Sequence, residues 1–273
     1  MNTLCPPAKA SLKVILLILL IISGCAVVPI TDRKQMTLVS DQQMIAMGLT
    51  AYNDFISRSI ISDDRTNTLL VEKVGRDIVR AVEVYCTEHN ISDRISGFDW
   101  EFSLVEDKTA NAFCLPGGKV VIYTGLLKYT KDGNGLAVVI GHEIAHLIAK
   151  HGNERMSQQL LKQFGGLALS LAISKKPQET QNLFNIVYEL GSTLGVILPY
   201  SRLHELEADK LGLIFMSLAG YDPNASFAFW QRMSETHGSS IPVFLSTHPA
   251  DSKRMMAIRK AMPEILRYRY LRR

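Results

Sequence analysis

The sequence has little net charge of either sign. Lysine and arginine number 30 and aspartate and glutamate 26, which gives a net charge of +4. This balance excludes the strongly basic surface typical of nucleic-acid-binding proteins, so we expect no nucleic-acid partner. The chain also has no internal repeat and no low-complexity tract. Its length suits one domain or a compact pair with a substantial core.

Long apolar runs are also few, and the run near the N-terminus is informative. Val14–Ile22 is an unbroken run of nine apolar residues, preceded by Lys9 and Lys13. It is shorter than the ~20 residues that span a bilayer as a helix and has the size of a signal-peptide core. Ile22-Ser23-Gly24-Cys25 follows and resembles the lipobox of bacterial lipoproteins. The alternative is an ordinary secretory signal, or an anchor helix with an incidental cysteine.

This pattern predicts the organisation of the whole chain. Residues 1–24 are expected to be a lipoprotein-type signal peptide, 25–40 a lipidated Cys25 with an extended tether, and 41–273 the folded domain. Removing 1–24 takes away two lysines and no acid, which leaves 28 basic and 26 acidic residues, a net charge of +2. No acidic residue directly follows Cys25. By analogy with lipoproteins of Gram-negative type, we expect an outer-membrane lipoprotein on the periplasmic face.

Cysteine is scarce, and no pair of cysteines has the spacing of metal ligands. Cys5 lies in the expected signal peptide and Cys25 at the expected lipidation site, so Cys86 and Cys114 remain. In an oxidising compartment these two can form a disulfide. The alternative is a pair of buried free thiols, and the sequence leaves both open.

Hydrophobic periodicity predicts an α+β fold. Polar cap residues and apolar positions every three to four residues predict helices over 41–57, from about 65 to 89, and from about 133 to 163. Alternating residues predict strands, at 100–104 and at 119–124 beyond a Leu-Pro-Gly-Gly turn, so we expect a small antiparallel sheet. Further helices are expected near 201–219, 224–236 and 249–267.

Two apolar segments, 164–174 and 186–199, are shorter than a membrane span. They favour buried helices or lid helices over contact with a membrane surface.

The pentapeptide His142-Glu143-Ile144-Ala145-His146 lies in an apolar, helix-forming run. Residues four apart fall on one face of a helix, so the two histidines can share one Zn²⁺ ion. Glu143 between them can reach a metal-bound water. A bare pattern of this kind also arises by chance, on a helix with incidental histidines.

A zinc hydrolase needs a third protein ligand, and the segment Glu205-Leu206-Glu207-Ala208-Asp209 offers one. Glu205 and Asp209 project from one helix face, so Glu205 can bind zinc while Asp209 accepts a hydrogen bond from a ligand histidine, most plausibly His142. Glu207 points elsewhere, and we interpret it as a solvated or salt-bridged acid. A charged helix face is the ordinary alternative for such a pair, but both motifs together favour a metal site.

Gly141-His142-Glu143-Ile144-Ala145-His146 and Ser201–Asp209 together resemble the HtpX/Oma/Ste-type zinc metallopeptidase family, and in layout its periplasmic lipoprotein members. The resemblance covers roughly residues 40–262. It implies a mainly helical, zincin-like domain with a small antiparallel sheet beside the catalytic helix, and one Zn²⁺ per chain. It also implies His142, His146 and Glu205 as zinc ligands and Glu143 as the catalytic base. The edge strand near Asn111, Ala112 and Phe113 is implied to line the cleft.

Other histidines are interpreted with less support from motifs. His248, in Thr247-His248-Pro249, is similar to a family histidine that can mask the zinc. It is also a candidate oxyanion donor, as is Arg202, or simply a residue at the start of a helix. His151 and His204 are interpreted as structural or surface residues.

These features predict a zinc-dependent endopeptidase, anchored by lipid in the bacterial envelope, that hydrolyses misfolded or damaged envelope proteins. The expected partners are unfolded substrates, the membrane through the lipid, and outer-membrane assembly machinery. The alternative is a chaperone or assembly factor for outer-membrane proteins with a masked or little-used zinc site. A peptidoglycan amidase would use similar chemistry, but nothing in the chain recommends it.

Overall fold

The computed structural model describes residues 25–164, 177–187, 201–235, 242–249 and 252–269. The strands in these ranges are β1 (Cys25–Val27), β2 (Lys34–Met36), β3 (Glu101–Val105), β4 (Ala112–Leu115) and β5 (Lys119–Tyr123). The helices are α1 (Asp41–Ser57), α2 (Arg65–Glu88), α3 (Thr124–Thr130), α4 (Gly133–Ile148), α5 (His151–Phe164), α6 (Pro177–Val187), α7 (Arg202–Leu218), α8 (Ala225–Ser234), α9 (Val243–Thr247) and α10 (Ser252–Tyr268). This content confirms a mainly helical α+β domain.

The predicted signal peptide (1–24) and most of the two apolar segments (165–174 and 188–199) lie outside the described residues. Within the described ranges, no helix combines the length and apolar character that crossing a membrane requires.

Polar side chains begin four of the helices that the sequence predicts. Ser40 forms a capping box with Gln43 at α1, and Asp64 caps α2. Asp132 accepts from the backbone N–H of Gly135 at α4, and Ser201 caps α7 in the same way. Each cap satisfies a backbone donor that a helix start leaves unpaired, so these starts are set locally and agree with the predicted bounds.

The helix expected to run from α4 to about residue 163 is in fact two helices. Ala149 ends α4, and Lys150 adopts a positive φ of 57° before α5 begins at His151. This left-handed residue ends the first helix and redirects the chain. The break places His151 beside His146, its contact in the site described below.

The larger sheet has the strand order β3-β5-β4. Strands β4 and β5 form an antiparallel hairpin, but β3 and β5 pair in parallel, so the antiparallel pairing expected of the strands at 100–104 and 119–124 is wrong. Val120, Val121 and Ile122 of β5 are completely buried. A strand that is apolar on both faces is favoured at the centre of a sheet, which leaves β3 and β4 on either side of it.

Helices cover both faces of this sheet. Val120 and Ile122 face the main core, which α2, α4 and α7 complete. Val121 faces a second cluster, built with α1, α5 and α6. Helix α4 thus packs against one face of the sheet, and β4, beside β5, is a strand at the edge of the sheet.

Residues 25–40 do not form the extended tether that the sequence predicts. Strands β1 and β2 pair in an antiparallel hairpin, and Val28 is completely buried. Gln35 donates to the carbonyl oxygen of Ala149 at 2.8 Å, and the Leu38 N–H donates to Ser157 Oγ at 2.8 Å. The segment packs onto the domain because its polar groups find buried partners there, which its own composition does not reveal.

Candidate metal centre

Helix α4 presents His142 and His146 from one face, as the four-residue spacing predicts. Both side chains are buried, and their Nε2 atoms lie 3.1 Å apart. The helix runs beside α7, where the backbones of the two helices meet at Gly141 and Gly212. This close approach brings the face of α7 that carries Glu205 up to the two imidazoles.

Glu205 completes the expected set of three. Its Oε2 lies 3.4 Å from His142 Nε2, and its Oε1 lies 3.3 Å from His146 Nε2. A tetrahedral zinc site with bonds of ~2.0–2.1 Å separates neighbouring ligand atoms by about 3.3 Å. Two imidazoles and a carboxylate at these separations therefore fit a zinc ion in both chemistry and spacing.

His248 joins this group from the turn after α9. Its Nδ1 lies 3.1 Å from His142 Nε2 and 3.0 Å from Glu205 Oε1, and the side chain is buried. The ligand atoms of His142, His146, Glu205 and His248 all lie within 4.8 Å of one another. The structure places His248 directly after α9, as its C-cap residue, with its side chain among these ligand atoms.

Glu143 is buried beside the same group. Its Oε1 lies 3.4 Å from His248 Nε2. Burial raises the pKa of the Glu143 carboxyl above its ordinary value. A raised pKa brings a carboxylate closer to neutral pH, where it exchanges protons most effectively as a general base.

Asp209 contacts His142 as expected, and Arg254 holds Asp209 in place. Asp209 Oδ1 lies 3.1 Å from His142 Nδ1. Arg254 donates to both carboxylate oxygens of Asp209 at 2.7 Å and lies 2.8 Å from Glu205 Oε2. The sequence analysis missed Arg254, because one arginine in a C-terminal helix carries no motif. Its burial, at 2% exposure, marks it as part of the site.

The charges of the site perturb its pKa values in opposite directions. Burial lowers the pKa of His142, but hydrogen bonds to Asp209 and Glu205 outweigh it and raise the pKa to about 9. For His146, burial dominates and lowers the pKa well below its ordinary value. Burial raises the pKa of Glu205, but attraction to His248 and Arg254 has the larger effect. The pKa of Glu205 is therefore well below its ordinary value, and this carboxylate stays ionised. Asp209 is held ionised in the same way, by Arg254 and His142.

The expected cleft strand and the second oxyanion candidate are placed differently. Asn111, Ala112 and Phe113 lie at the start of β4, the edge strand that packs on α4. Arg202 is exposed on the first turn of α7, whereas His248 is buried in the site. His248 lies beside the proposed ligands His142 and Glu205.

His151, His204 and Glu207 are not surface residues, and Glu207 is not solvated. All three are buried, and His151 contacts His146. Glu207 forms a salt bridge with Arg33, as one of the two interpretations proposed. His204 contacts Glu154 at 3.0 Å. The sequence carries no motif for this cluster, since its members come from three separate segments.

Cys86 and Cys114 are free thiols, and both are buried. Burial raises the pKa of Cys86 to about 11 and that of Cys114 as well. Of the two open alternatives, the structure shows the pair of buried thiols.

Comparisons with known proteins agree with this geometry. Residues 72–262 match Peptidase family M48. The mitochondrial metalloendopeptidase OMA1 of Schizosaccharomyces pombe is 32% identical over 242 residues, 87% of this chain and 66% of that protein. The human mitochondrial metalloendopeptidase OMA1 is 31% identical over 251 residues, 88% of this chain and 46% of that protein.

A bacterial relative matches a shorter part. The putative beta-barrel assembly-enhancing protease of Vibrio cholerae is 32% identical over 159 residues, 56% of this chain and 33% of that protein. The chain thus spans between 33% and 66% of the length of these three relatives.

Proposed function

Because the chain belongs to peptidase family M48, we propose that it is a zinc-dependent endopeptidase with His142, His146 and Glu205 as the metal ligands. Membership of the family implies zinc as the cofactor. The observation that carries the proposal is the buried group of ligand atoms within 4.8 Å of one another, with Glu143 beside it. Two of the three relatives described above are metalloendopeptidases by name.

The chain's own residues supply the proton transfers. When bound, zinc lowers the pKa of a coordinated water toward ~7 and polarises the scissile carbonyl. Glu143 accepts the proton of the attacking water and delivers it to the leaving amine. Transfer of this kind contributes ~10²–10⁴-fold to the rate. Asp209 and Arg254 keep the His142 imidazole oriented throughout, since both contacts are buried.

Substrate is proposed to pair with the edge strand β4 at Asn111, Ala112 and Phe113. Backbone pairing gives affinity with little sequence preference, which suits unfolded chains. Phe244 donates its N–H to the Ala110 carbonyl oxygen at 3.0 Å, so α9 lies beside the start of this edge. An extended substrate that follows the edge toward Ala110 must displace that contact.

His248 is proposed to mask the metal in this conformation. Its Nδ1 takes a position among the ligand atoms that substrate or water would otherwise occupy. Phe244, at 4.7 Å between ring centroids, connects His248 to α9. Movement of α9 away from Ala110 would therefore free the edge strand and withdraw His248 together.

The place of action is proposed to be the bacterial envelope, with Cys25 lipidated after cleavage of residues 1–24. The lipobox-like residues Ile22–Cys25 and the relative from Vibrio cholerae support this proposal, whereas the OMA1 relatives are mitochondrial by name. Because β1 begins at Cys25, a lipid there would hold the domain close to the membrane. Incorporation of labelled palmitate into the wild type and not into Cys25→Ala, expressed in bacteria, tests the anchor.

One observation favours a second function. A site masked by His248 would suit a chaperone or assembly factor for outer-membrane proteins, and one relative is named a putative beta-barrel assembly-enhancing protease. In that case Glu143 would be dispensable. We rank this function second, because a binding module needs no buried carboxylate beside the ligands.

Cleavage of unfolded casein by the purified full chain separates the two. A zinc endopeptidase loses cleavage when a chelator removes the metal and regains it when Zn²⁺ is restored in slight excess. Prevention of substrate aggregation with no cleavage, before and after zinc addition, would instead support the chaperone.

A further inference from the structure

The two proposed ligand histidines are supported from behind in different ways. His142 contacts a carboxylate directly, Asp209, and an arginine from α10 clamps that carboxylate. His146 contacts another histidine instead: its Nδ1 lies 2.9 Å from His151 Nδ1. His151 in turn contacts Glu207.

The other contacts of the two imidazoles determine which nitrogen donates this hydrogen bond and which accepts it. His146 turns Nε2 toward Glu205 and His142, so as a neutral ligand it carries its proton on Nδ1. That proton is donated to His151 Nδ1, which must then be the bare nitrogen. His151 consequently carries its own proton on Nε2, and this nitrogen lies 3.0 Å from Glu207 Oε2. A carboxylate accepts only, so it selects this tautomer of His151 and, through it, that of His146.

Glu207 is held in turn by the N-terminal hairpin. Thr31 donates to Glu207 Oε1 at 2.7 Å, and Arg33 donates to both carboxylate oxygens at 3.0 Å. Arg33 also donates to both oxygens of Glu154, at 2.7 and 2.8 Å. The guanidinium is thus bidentate to two acids, the strongest form of charge-assisted hydrogen bonding.

Burial makes the loss of any one of these contacts costly in free energy. His151 is completely buried, and Glu207 and Glu154 are 4% and 6% exposed. At such depth an acid that loses its cationic partner carries a large penalty, because little solvent compensates the charge. Arg33 belongs to this buried network of hydrogen bonds, although it lies outside residues 72–262 that match the peptidase family.

We propose that Arg33 is a positioning residue of the metal centre, acting through Glu207 and His151 on the orientation and tautomer of His146. The inference rests on the proposed function only in taking His146 as a zinc ligand. It makes the hairpin β1–β2 part of the metal site. A carboxylate that an arginine holds then supports each ligand histidine, directly for His142 and through His151 for His146. Helix α10 supplies one arginine and the hairpin supplies the other.

Zinc affinity tests this directly. We expect Arg33→Met and Glu207→Gln each to weaken zinc binding by about 10- to 100-fold in competition with a chromogenic chelator, as loss of such support typically does. The double variant should bind no more weakly than Glu207→Gln alone, because both changes break one chain of contacts. Arg80→Met, which removes an exposed arginine from its pair with Asp77, is the matched control and should leave zinc affinity unchanged.

Spectra and kinetics separate positioning from general stability. The Co²⁺-substituted Arg33→Met protein should show a shifted visible absorption spectrum, and at saturating Zn²⁺ its kcat should fall with KM unchanged. Arg33→Lys keeps the positive charge but lacks the paired N–H donors of the guanidinium, so it should recover part of the zinc affinity. If Arg33→Met is too unstable to purify, Thr31→Val removes one bond to Glu207 and should weaken zinc binding severalfold.

Two results overturn the proposal. One is unchanged zinc affinity and an unchanged Co²⁺ spectrum in both Arg33→Met and Glu207→Gln. The other is a lowered Tm, equal with and without zinc, as the sole effect, which would make Arg33 a structural residue. Failure of the proposed function is distinguishable, because then the wild type itself binds no zinc or cleaves no casein, whatever the Arg33 variants do.

Discussion

Gly141 and Gly212 bring the backbones of α4 and α7 into direct contact. A Cβ atom at Gly141 would lie 2.7 Å from the carbonyl oxygen of Gly212, and one at Gly212 would lie 2.7 Å from the carbonyl carbon of Gly141. Neither backbone can yield as a flexible side chain does. The contact sets the distance between the helix that carries His142 and the helix that carries Glu205.

Gly212→Ala should therefore damage both stability and metal binding. Overpacking of this kind typically costs about 1–3 kcal/mol, and separation of the helices moves Glu205 away from the histidines. Urea unfolding and zinc competition measure the two effects. Gly133→Ala is the matched control at the start of α4, where a Cβ meets its nearest atom at an ordinary 3.6 Å. Equal behaviour of the two variants would contradict the role assigned to the close contact.

His248→Ala should increase the rate of casein cleavage severalfold. The change removes the side chain that stands among the ligand atoms, so water and substrate gain access to the metal. Initial rates at saturating Zn²⁺ measure the effect, and zinc affinity should fall modestly. A loss of ~10²-fold or more in kcat would point the other way, to a donor for the oxyanion.

The acid stability of the metal-free protein should depend on Glu154. Burial raises the pKa of this carboxyl, but hydrogen bonds from Arg33 and His204 outweigh it and lower the pKa from 4.5 to about 2. A lowered folded-state pKa stabilises the fold above the unfolded value, and this stabilisation is lost as the pH falls from about 4.5 to about 2. Chemical unfolding in EDTA at several pH values measures it.

The comparison for this pH dependence is Glu154→Gln. Without the titrating carboxyl, its free energy of unfolding should fall less steeply over the same pH interval than that of the wild type. Parallel curves for the two proteins would show that Glu154 does not carry the effect.

The sequence predicted the parts that depend on local pattern. Helix starts at Ser40, Asp64, Asp132 and Ser201 depend on a cap and a few following residues, and the structure has them. The convergence of His142, His146 and Glu205 followed from helical spacing and from the family resemblance. Both kinds of inference use residues that are close together in the chain or part of a known motif.

The remaining parts depend on contacts between distant segments. The sequence predicted an antiparallel sheet, but β3 pairs with β5 in parallel, and the composition of a strand does not reveal the direction of its partner. Arg33 lies in a polar segment that is typical of a solvated tether, but its partners Glu154 and Glu207 are 121 and 174 residues away. Arg254 was missed for the same reason, since its partner Asp209 lies in another helix.

Glu143→Gln tests the central claim most directly. The variant keeps the size of the side chain and leaves the ligands in place, so we expect zinc bound at one ion per chain and no measurable cleavage of casein. Glu83→Gln, an exposed acid on α2, is the control and should match the wild type in both measurements. Zinc content by atomic absorption and cleavage on the same preparations decide the matter. Cleavage at the wild-type rate by a zinc-loaded Glu143→Gln protein would contradict the account.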